Sequence, residues 1–329
     1  LVIVESPAKA KTINKYLGKD YLVLASYGHI RDLPSKNGSV DPDNKFEMLW
    51  EIDSFSKKYL KEITNAAEGS KKIILATDPD REGEAIAWHV KEVLESKKLL
   101  KGKKLERVVF NEITKNAILE AIKNPRDIHL PLVKAYLARR ALDYLVGFNI
   151  SPILWTKLPG SKSAGRVQSV ALKLITEREK EIELFNPEEY WTLTSDFTNK
   201  DDKNIISKLS LFNGEKIEKF SFKNKNEIDQ AINVINKSKF TIKDVNTKVF
   251  KRNPLAPFTT STLQQTASGK FGFGASRTMQ IAQRLYQGIE IEGETTGLIT
   301  YMRTDGTNIS KKAINEFREL IKNDFGDQF

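Results

Sequence analysis

The stretch Ile73-Ile-Leu-Ala-Thr-Asp78-Pro-Asp80-Arg-Glu82-Gly-Glu84 runs from an apolar segment straight into acids at alternate positions. Its first residues are typical of a strand that is buried on both faces, as in a parallel sheet. A second run of this kind, Leu1 to Val4, also ends on an acid, Glu5. Because parallel sheets bind ligands at the carboxyl ends of their strands, we expect these acids to meet at one sheet edge.

The pattern continues outward from this stretch over the first ~120 residues. Further strand-like runs at Tyr21 to Ala25 and Arg107 to Phe110 alternate with helical patterns, which predicts an α/β domain with a Rossmann-like parallel sheet. The predicted helices are Ala8 to Leu17, Glu82 to Leu94 and Lys115 to Lys123, the last one capped by Thr114.

The rest of the chain follows different patterns, so the predicted fold class is α/β and α+β multidomain. Apolar spacing is helical from Leu132 to Leu184, apart from a polar loop at Pro159 to Gly165. Later elements are short alternating runs at Tyr190 to Phe197 and Ile205 to Phe212, helices at Glu227 to Ile235, Thr262 to Ala267 and Arg277 to Tyr286, a strand at Leu298 to Met302, and a helix after Ser310. We predict an α/β domain at 1–124, a helical segment at 125–186, an α+β segment at 187–256 and a helix-rich segment at 257–329.

Composition narrows the class of protein. Lysine and arginine number 53 against 43 acids, a net charge of +10, which favours a polyanionic partner such as nucleic acid over an anionic membrane surface. No apolar run approaches the ~18 residues that span a bilayer, so we expect a cytoplasmic protein with no membrane partner. The chain has no cysteine and only 3 scattered histidines, so a metal would have to be held by carboxylates.

The acids after the strands suit a hard cation. Asp78, Asp80 and Glu82 at alternate positions, together with Glu5, could converge on Mg²⁺, which prefers oxygen ligands. The alternative is that Glu82 and Glu84 only favour a helix N-terminus. That alternative does not explain why Glu5, Asp78 and Asp80 coincide with them.

A tyrosine near the other end of the chain is a candidate nucleophile. On the predicted strand Gly297-Leu-Ile-Thr-Tyr301-Met-Arg303, residues i and i+2 face the same way, so Tyr301 and Arg303 could address one phosphate. Ionising a tyrosine of pKa ~10 at pH 7 costs about 4 kcal/mol, and a guanidinium would favour the phenolate. The alternative is an ordinary half-buried tyrosine beside a surface arginine.

These motifs resemble known ones. Glu5-Ser-Pro-Ala-Lys9 followed by Asp78-x-Asp80-x-Glu82 resembles the toprim domain, which implies that Glu5, Asp78 and Asp80 bind metal with Glu82 close by, and that Lys9 contacts phosphate. Thr300-Tyr-Met-Arg-Thr-Asp305 resembles the active-site signature of bacterial type IA DNA topoisomerases. Met302 fits the topoisomerase I branch better than the topoisomerase III branch, which usually has proline there. Gly306 departs from the serine expected next.

A third motif, Gly160-Ser-Lys-Ser163-Ala-Gly165-Arg166-Val-Gln168-Ser169, resembles the DNA-binding loop of that family at the start of a helix. Its small residues would let the backbone approach phosphates. From the residues alone, Phe148 and Trp155 could equally be core residues. A lone loop histidine such as His29 is usually incidental. His89 is expected to be structural. The resemblance implies a DNA-binding set of His29, Arg139, Arg140, Asp143, Phe148, Trp155, Ser163, Ala164, Gly165, Arg166, Val167, Gln168 and Arg303.

The resemblance also implies an activity: ATP-independent, Mg²⁺-dependent relaxation of negatively supercoiled DNA. Tyr301 would form a 5′-phosphotyrosine, Arg303 and Lys9 would stabilise the phosphate charge, and Glu5 would protonate the leaving 3′-oxygen. The partner would be the single-stranded segment of underwound DNA, bound by a monomer without a nucleotide cofactor. The family's remaining parts are expected to be missing, because the chain stops 28 residues after Tyr301. A topoisomerase III-like decatenase, a toprim nuclease or primase and a non-catalytic DNA-binding module remain alternatives.

Overall fold

The structure is a computed structural model that describes residues 1–200 and 202–328. The chain forms two compact units, one made of Leu1–Arg166 with Pro254–Phe329 and the other of Val167–Asn253. The first unit therefore joins the two ends of the sequence, whereas the four predicted segments are each continuous. Those segment boundaries stay predictions.

Secondary structure alternates along the chain. The strands are β1 (Val2–Val4), β2 (Val23–Ala25), β3 (Arg31–Asp32), β4 (Val40–Asp41), β5 (Glu47–Met48), β6 (Glu51–Ile52), β7 (Lys72–Leu75), β8 (Lys104–Arg107), β9 (Thr194–Thr198), β10 (Asn204–Lys208), β11 (Leu211–Phe212), β12 (Glu215–Lys216), β13 (Ile289–Ile291) and β14 (Glu294–Thr296). The helices are α1 (Pro7–Leu17), α2 (Lys57–Gly69), α3 (Arg81–Ser96), α4 (Lys115–Lys123), α5 (Leu130–Lys157), α6 (Gln168–Glu183), α7 (Lys225–Asn236), α8 (Thr260–Phe271), α9 (Ala275–Gln287) and α10 (Lys311–Phe325).

The predicted parallel sheet is confirmed. Its strands are ordered β2-β1-β7-β8, and each neighbouring pair is parallel. The predicted strand from Arg107 to Phe110 is wrong, because β8 ends at Arg107, which pairs with Leu75 at the last position of β7. The apolar run beyond it, including Val108 and Phe110, belongs to the core without being a strand.

Alternate residues of the central strands serve opposite faces of this sheet. Val2 and Val4 lie in one buried cluster and Ile3 lies in another, as the two-residue period of a strand requires. The Ile3 face is covered by α2 and α3, through residues such as Ile63 and Val90. Helices on both faces explain why these strands are apolar throughout.

The late part of the chain packs on the other face. Tyr286 of α9 and Tyr301 are buried in the cluster that holds Val2 and Val4. Residues 298–302 are not a strand, so that prediction is wrong. The segment is held by separate backbone hydrogen bonds, such as Tyr301 N to the carbonyl of Asn111 at 2.7 Å. Its irregular partner, residues 111–113, offers no strand with which a ladder could form.

The second unit has its own small core. The hairpin β9–β10 and the pair β11–β12 are antiparallel, as expected for the α+β segment. Phe222 and two residues of α7, Ile228 and Ala231, are buried together. In the part of the chain that the structure describes, we find no helix long and apolar enough to cross a membrane.

His89 lies inside the first unit, as the sequence predicts for a structural histidine. Its ring is fully buried, and Nδ1 accepts a hydrogen bond from Arg31 Nε at 3.0 Å. Trp50 and Trp88 pack against it, with ring centroids at 4.6 and 4.8 Å. Burial above all, and then the charge of Arg31, lowers the pKa of His89 from 6.5 to about 2.

The buried His89 should make the fold sensitive to acid. The unfolded chain takes up a proton near pH 6.5 and the folded chain only near pH 2, so stability is full above pH 6.5 and falls as the pH drops below it. Between pH 6.5 and 5 the loss from this site is roughly 1.5 kcal/mol. His89→Gln, which keeps an acceptor for Arg31, should remove that part of the loss in urea unfolding followed by tryptophan fluorescence. The exposed His129→Gln is the matched control, and equal acid sensitivity of both variants would contradict the assignment.

Candidate active site

Glu5, Lys9 and Asp78 form a buried charged cluster at the sheet edge. Helix α1 begins after Ser6, which caps it, and so places Lys9 one turn from Glu5. Lys9 is fully buried, and its ammonium donates to the carboxylates of Glu5 and Asp78. The backbone N of Asp78 donates to Glu5 Oε2 at 2.9 Å. The two strand ends therefore meet as predicted, while Lys9 faces these acids rather than solvent.

The two carboxyl groups of this cluster differ in proton affinity. Burial first, and then the neighbouring Glu5, raises the pKa of Asp78 to about 7. Burial acts in the same sense on Glu5, but the hydrogen bond with Asp78 and the Lys9 ammonium hold the pKa of Glu5 below its ordinary value. Two like charges at short range cannot both ionise freely, so the shared proton favours Asp78.

Asp80 connects the acidic loop to the tyrosine. Its Oδ1 caps α3 by accepting from the backbone N of Gly83 at 2.8 Å, and its Oδ2 accepts from the Tyr301 hydroxyl at 2.7 Å. Arg303 Nη1 lies 3.7 Å from the same Oδ2. Tyr301 and Arg303 thus reach one carboxylate, although no strand presents them.

The Tyr301 phenol is held in its neutral form. The side chain is 7% exposed, and its ring packs edge-on to Tyr286 with centroids 5.3 Å apart. Burial first, and then the carboxyls of Asp78 and Asp80, raises the pKa of Tyr301 far above its ordinary value of 10. In this arrangement the tyrosine is a hydrogen-bond donor rather than an ionised nucleophile.

An open cavity of about 650 Å³ lies over these groups. One wall carries the predicted residues Glu5, Asp78, Asp80, Glu82, Tyr301 and Arg303. The other wall is α9, which sequence reasoning missed as part of the site and which contributes Ser276, Met279, Gln280, Gln283 and Arg284. Polar residues at helical spacing, opposite the buried Thr278, Ala282 and Tyr286, were the available signal.

A second cavity of about 270 Å³ adjoins the first through Glu82. His29 Nε2 lies 3.2 Å from Glu82 Oε2, and Arg139 Nη1 lies 3.4 Å from Glu82 Oε1. Tyr136, which the sequence did not single out, stacks on His29 with ring centroids 5.1 Å apart. The hydrogen bond with His29 is the first cause that lowers the pKa of Glu82. The structure therefore brings His29 and Arg139 to the acidic loop.

The structure gives the partners and the exposure of the other predicted DNA-binding residues in the first unit. Arg140 pairs with Asp32, and Arg166 Nε lies 2.8 Å from Asp143 Oδ1. Phe148 and Trp155 are 37% and 58% exposed, so neither is a core residue. Ala164 is buried, and its N donates to Ser151 Oγ at 3.2 Å. Ser163 and Gly165 lie in the same loop, whereas Val167 and Gln168 lie at the start of α6 in the second unit.

Glu84 has a structural role beyond favouring the N-terminus of α3. Its side chain is fully buried and pairs with Arg107 at 3.1 Å and with Arg126 at 2.8 Å. Arg107 in turn donates to the carbonyls of Thr77 at 2.9 Å and Asp78 at 2.7 Å. This network fixes the backbone that carries Asp78, and its sequence signal was Arg107, a charged residue at the start of the apolar run from Val108 to Phe110.

The carboxylates suit Mg²⁺ in chemistry, since they are hard oxygen donors lining one cavity. Within residues 1–200 and 202–328, no three acidic or histidine side chains form a ready-made metal cluster. Lys9 engages Glu5 and Asp78, and Tyr301 engages Asp80. The donor set thus fits the ion, and binding it requires these carboxylates to exchange protein partners.

Gly83 allows the acidic loop to fold back on α3. A Cβ at this position would lie 2.3 Å from the carbonyl oxygen of Asp78 and 2.7 Å from its backbone N. Gly83→Ala should therefore destabilise the fold by about 2 kcal/mol, as overpacking does. Gly147→Ala, in α5 with nothing within 4 Å of the added Cβ, is the control and should stabilise slightly. Thermal unfolding compares them, and unchanged stability of Gly83→Ala would refute the close approach.

Two family models match the parts of the chain that contain these residues. The family model described as DNA topoisomerase matches residues 127–329, and the model described as Toprim domain matches residues 1–113. A protein named DNA topoisomerase 1 from Rickettsia bellii (strain RML369-C) is 54% identical over 330 residues, covering 100% of this chain and 41% of its own length. Another of that name, from Zymomonas mobilis subsp. mobilis (strain ATCC 31821 / ZM4 / CP4), is 56% identical over 321 residues, covering 98% of this chain and 26% of its own.

Among solved structures, full-length topoisomerase I from Thermotoga maritima has a TM-score of 0.85 and 41% identity. The match covers 100% of this chain and 53% of that one. The chain therefore spans less than half the length of the curated relatives described here and about half of this solved relative.

Proposed function

Because the chain belongs to the bacterial type IA DNA topoisomerase family, we propose that its protein relaxes negatively supercoiled DNA by cutting and resealing one strand through Tyr301. The observation that carries this proposal is the 2.7 Å hydrogen bond from the Tyr301 hydroxyl to Asp80 in the acidic loop. A toprim nuclease or primase would use the acids but would have no need of a tyrosine bonded to them. The relatives named DNA topoisomerase 1, which match this chain over 98% or more of its residues, support relaxation over topoisomerase III-like decatenation.

The proposed chemistry starts with the phenol. Tyr301 transfers its proton to Asp80, the carboxylate 2.7 Å away, as its oxygen attacks the phosphorus of a single-stranded phosphodiester. A tyrosine O–P bond forms and the bond from phosphorus to the 3′-oxygen breaks, which leaves a 5′-phosphotyrosine. Arg303, 3.7 Å from the same carboxylate, stabilises the charge on the phosphate.

The leaving 3′-oxygen needs a proton, and Glu5 would supply it from the pair that it forms with Asp78. The pKa of Asp78 is raised to about 7, so this pair holds a proton near neutral pH. Lys9 donates hydrogen bonds to both acids of this pair. The contact of Lys9 with phosphate, which the resemblance predicts, would require its ammonium to leave these acids. Resealing reverses the steps, so no nucleotide cofactor is required.

Mg²⁺ is the proposed cofactor and would be held by Glu5, Asp78 and Asp80 with Glu82 close by, so that proton transfer by these acids alternates with metal binding. When bound, it would neutralise phosphate charge and orient the strand at the break. The match to the toprim model supports a divalent metal at these acids. Mg²⁺ rather than another ion is proposed from the oxygen-only donor set.

Single-stranded DNA is the proposed substrate, in the underwound part of a duplex. Arg139, Arg140 and Arg166 line or adjoin the second cavity, where they would track phosphates, and the exposed Phe148 and Trp155 would stack on bases. Phosphates would replace the acids that now pair with the arginines. We propose that the enzyme acts in the cytoplasm as a monomer.

The covalent step gives the first test of this function. The full-length protein, incubated with Mg²⁺ and a labelled single-stranded oligonucleotide and then denatured, should yield a protein–DNA adduct linked to the 5′-phosphate. Tyr301→Phe should abolish the adduct, because it removes only the nucleophilic oxygen. The neighbouring Tyr286→Phe, which keeps the ring that packs on Tyr301, should retain it. A 5′-linked adduct on the Tyr301→Phe protein would falsify the assignment.

The acids give a second test. Asp78→Asn with Asp80→Asn keeps the side-chain shape and the cap of α3 while removing the charges. Mg²⁺-dependent relaxation should fall by at least about 100-fold, whereas the affinity for a single-stranded oligonucleotide should stay within about threefold. Gel relaxation and fluorescence anisotropy measure the two quantities. Equal loss of both would show that these acids act on folding instead.

A further inference from the structure

We propose that Tyr27, Phe55 and Tyr59 form an aromatic platform beside the active site, on which an unpaired base of single-stranded DNA stacks. The proposal rests on the proposed function, since it concerns how that substrate is held. These residues belong to neither of the cavities described above, and none was singled out in the sequence.

The rings form a continuous, accessible surface. Tyr27 lies parallel to Tyr59, with ring centroids 3.7 Å apart and an angle of 18° between the planes. Phe55 adjoins Tyr59 at 5.6 Å. Tyr27 remains 42% exposed and Phe55 66% exposed, so both rings offer free area to a ligand. Aromatic rings that stack on each other and still face solvent are well suited to extend the stack with a base.

Backbone strain at Tyr27 points the same way. Its φ is 61°, a left-handed value that is costly for a bulky residue, and Gly28 follows at 100°. This turn is held in place, since Gly28 N donates to the carbonyl of Glu5 at 3.1 Å and Ser26 Oγ donates to the carbonyl of Gly28 at 2.9 Å. Such strain persists where the surroundings maintain it, and it is concentrated at functional sites.

The charges around the platform complement a polyanion. Lys58 Nζ lies 5.9 Å from the centre of the Tyr59 ring, and Lys57 beside it is exposed. The nearby Asp53 is engaged by the backbone, because its Oδ2 accepts from the N of Phe55 at 3.0 Å and from that of Ser56 at 3.2 Å. Lysines next to exposed rings are the combination that binds single-stranded nucleic acid, through phosphates and bases respectively.

The platform is continuous with the catalytic region. Gly28 lines the large cavity together with Tyr301, and the next residue, His29, lies on Glu82 in the second one. Ser56, between Phe55 and α2, donates through Oγ to the carbonyl of His29 at 3.2 Å. The residue that follows Tyr27 therefore borders the cavity in which a strand would lie across the acidic loop. This continuity favours DNA over a protein partner as the occupant.

Photocrosslinking tests the contact directly. Single-stranded oligonucleotides with one 5-iododeoxyuridine at successive positions are bound to the full-length Tyr301→Phe protein, irradiated and mapped by mass spectrometry. At one position or more, the crosslink should fall on Tyr27, Phe55 or Tyr59. Crosslinks confined to other residues at every position would overturn the proposal and would leave a protein partner as the occupant of these rings.

Affinity provides the second readout. Phe55→Ala should weaken binding of the oligonucleotide by about five- to fiftyfold, since stacking on one base is lost, and Phe55→Trp should restore it. Phe317→Ala, an exposed phenylalanine of α10, is the matched control and should bind normally. Circular dichroism verifies folding. If Phe55→Ala binds like the wild type, the platform is refuted. If the wild type binds DNA but forms no Tyr301 adduct, the proposed function fails separately.

Discussion

The site depends on the packing of the segment around Tyr301 against one face of the parallel sheet, the face that carries Val2 and Val4. Val2 and Val4 of the sheet and Tyr286 of α9 lie in the same buried cluster as Tyr301. That apolar contact brings the phenol of Tyr301 to the acidic loop in the first half of the chain, where Asp80 lies 221 residues earlier in sequence. The hydrogen bond to Asp80 then sets the direction of the hydroxyl. Burial is thus both what assembles the site and what keeps its tyrosine protonated.

Concentrating acids at one sheet edge is unfavourable unless their charges are compensated. Lys9 does this for Glu5 and Asp78, and Arg107 holds the carbonyls beneath the acidic loop while pairing with Glu84. Removing one partner of such a buried set would leave an uncompensated charge, which costs far more than an exposed pair. The same compensation leaves the carboxylates engaged, so substrate and metal have to replace protein contacts. The site is therefore assembled, but its carboxylates are occupied by protein side chains.

How much of this could be predicted depends on the range of the interactions involved. Local sequence patterns located β1, β7, α4 and the acids after the strands, because apolar runs and helix caps depend only on neighbouring residues. They failed at residues 298–302, whose backbone is held by distant irregular loops rather than by a strand partner. The pairing of Tyr301 with Asp80 could be proposed only through family resemblance. The wall made by α9, the Lys9 contacts and the strained Tyr27 depend on tertiary packing, which spacing alone does not encode.

The central claim is that folding buries the Tyr301 phenol against Asp80. It is tested most directly by ¹³C NMR of protein labelled at the tyrosine Cζ carbons, titrated with pH in the absence of metal, with Tyr301→Phe to assign the signal. We predict that Tyr301 stays protonated at pH values where exposed tyrosines ionise, near pH 10, and that Asp80→Asn lowers its pKa. A Tyr301 signal that titrates like an exposed tyrosine, unchanged by Asp80→Asn, would contradict the account.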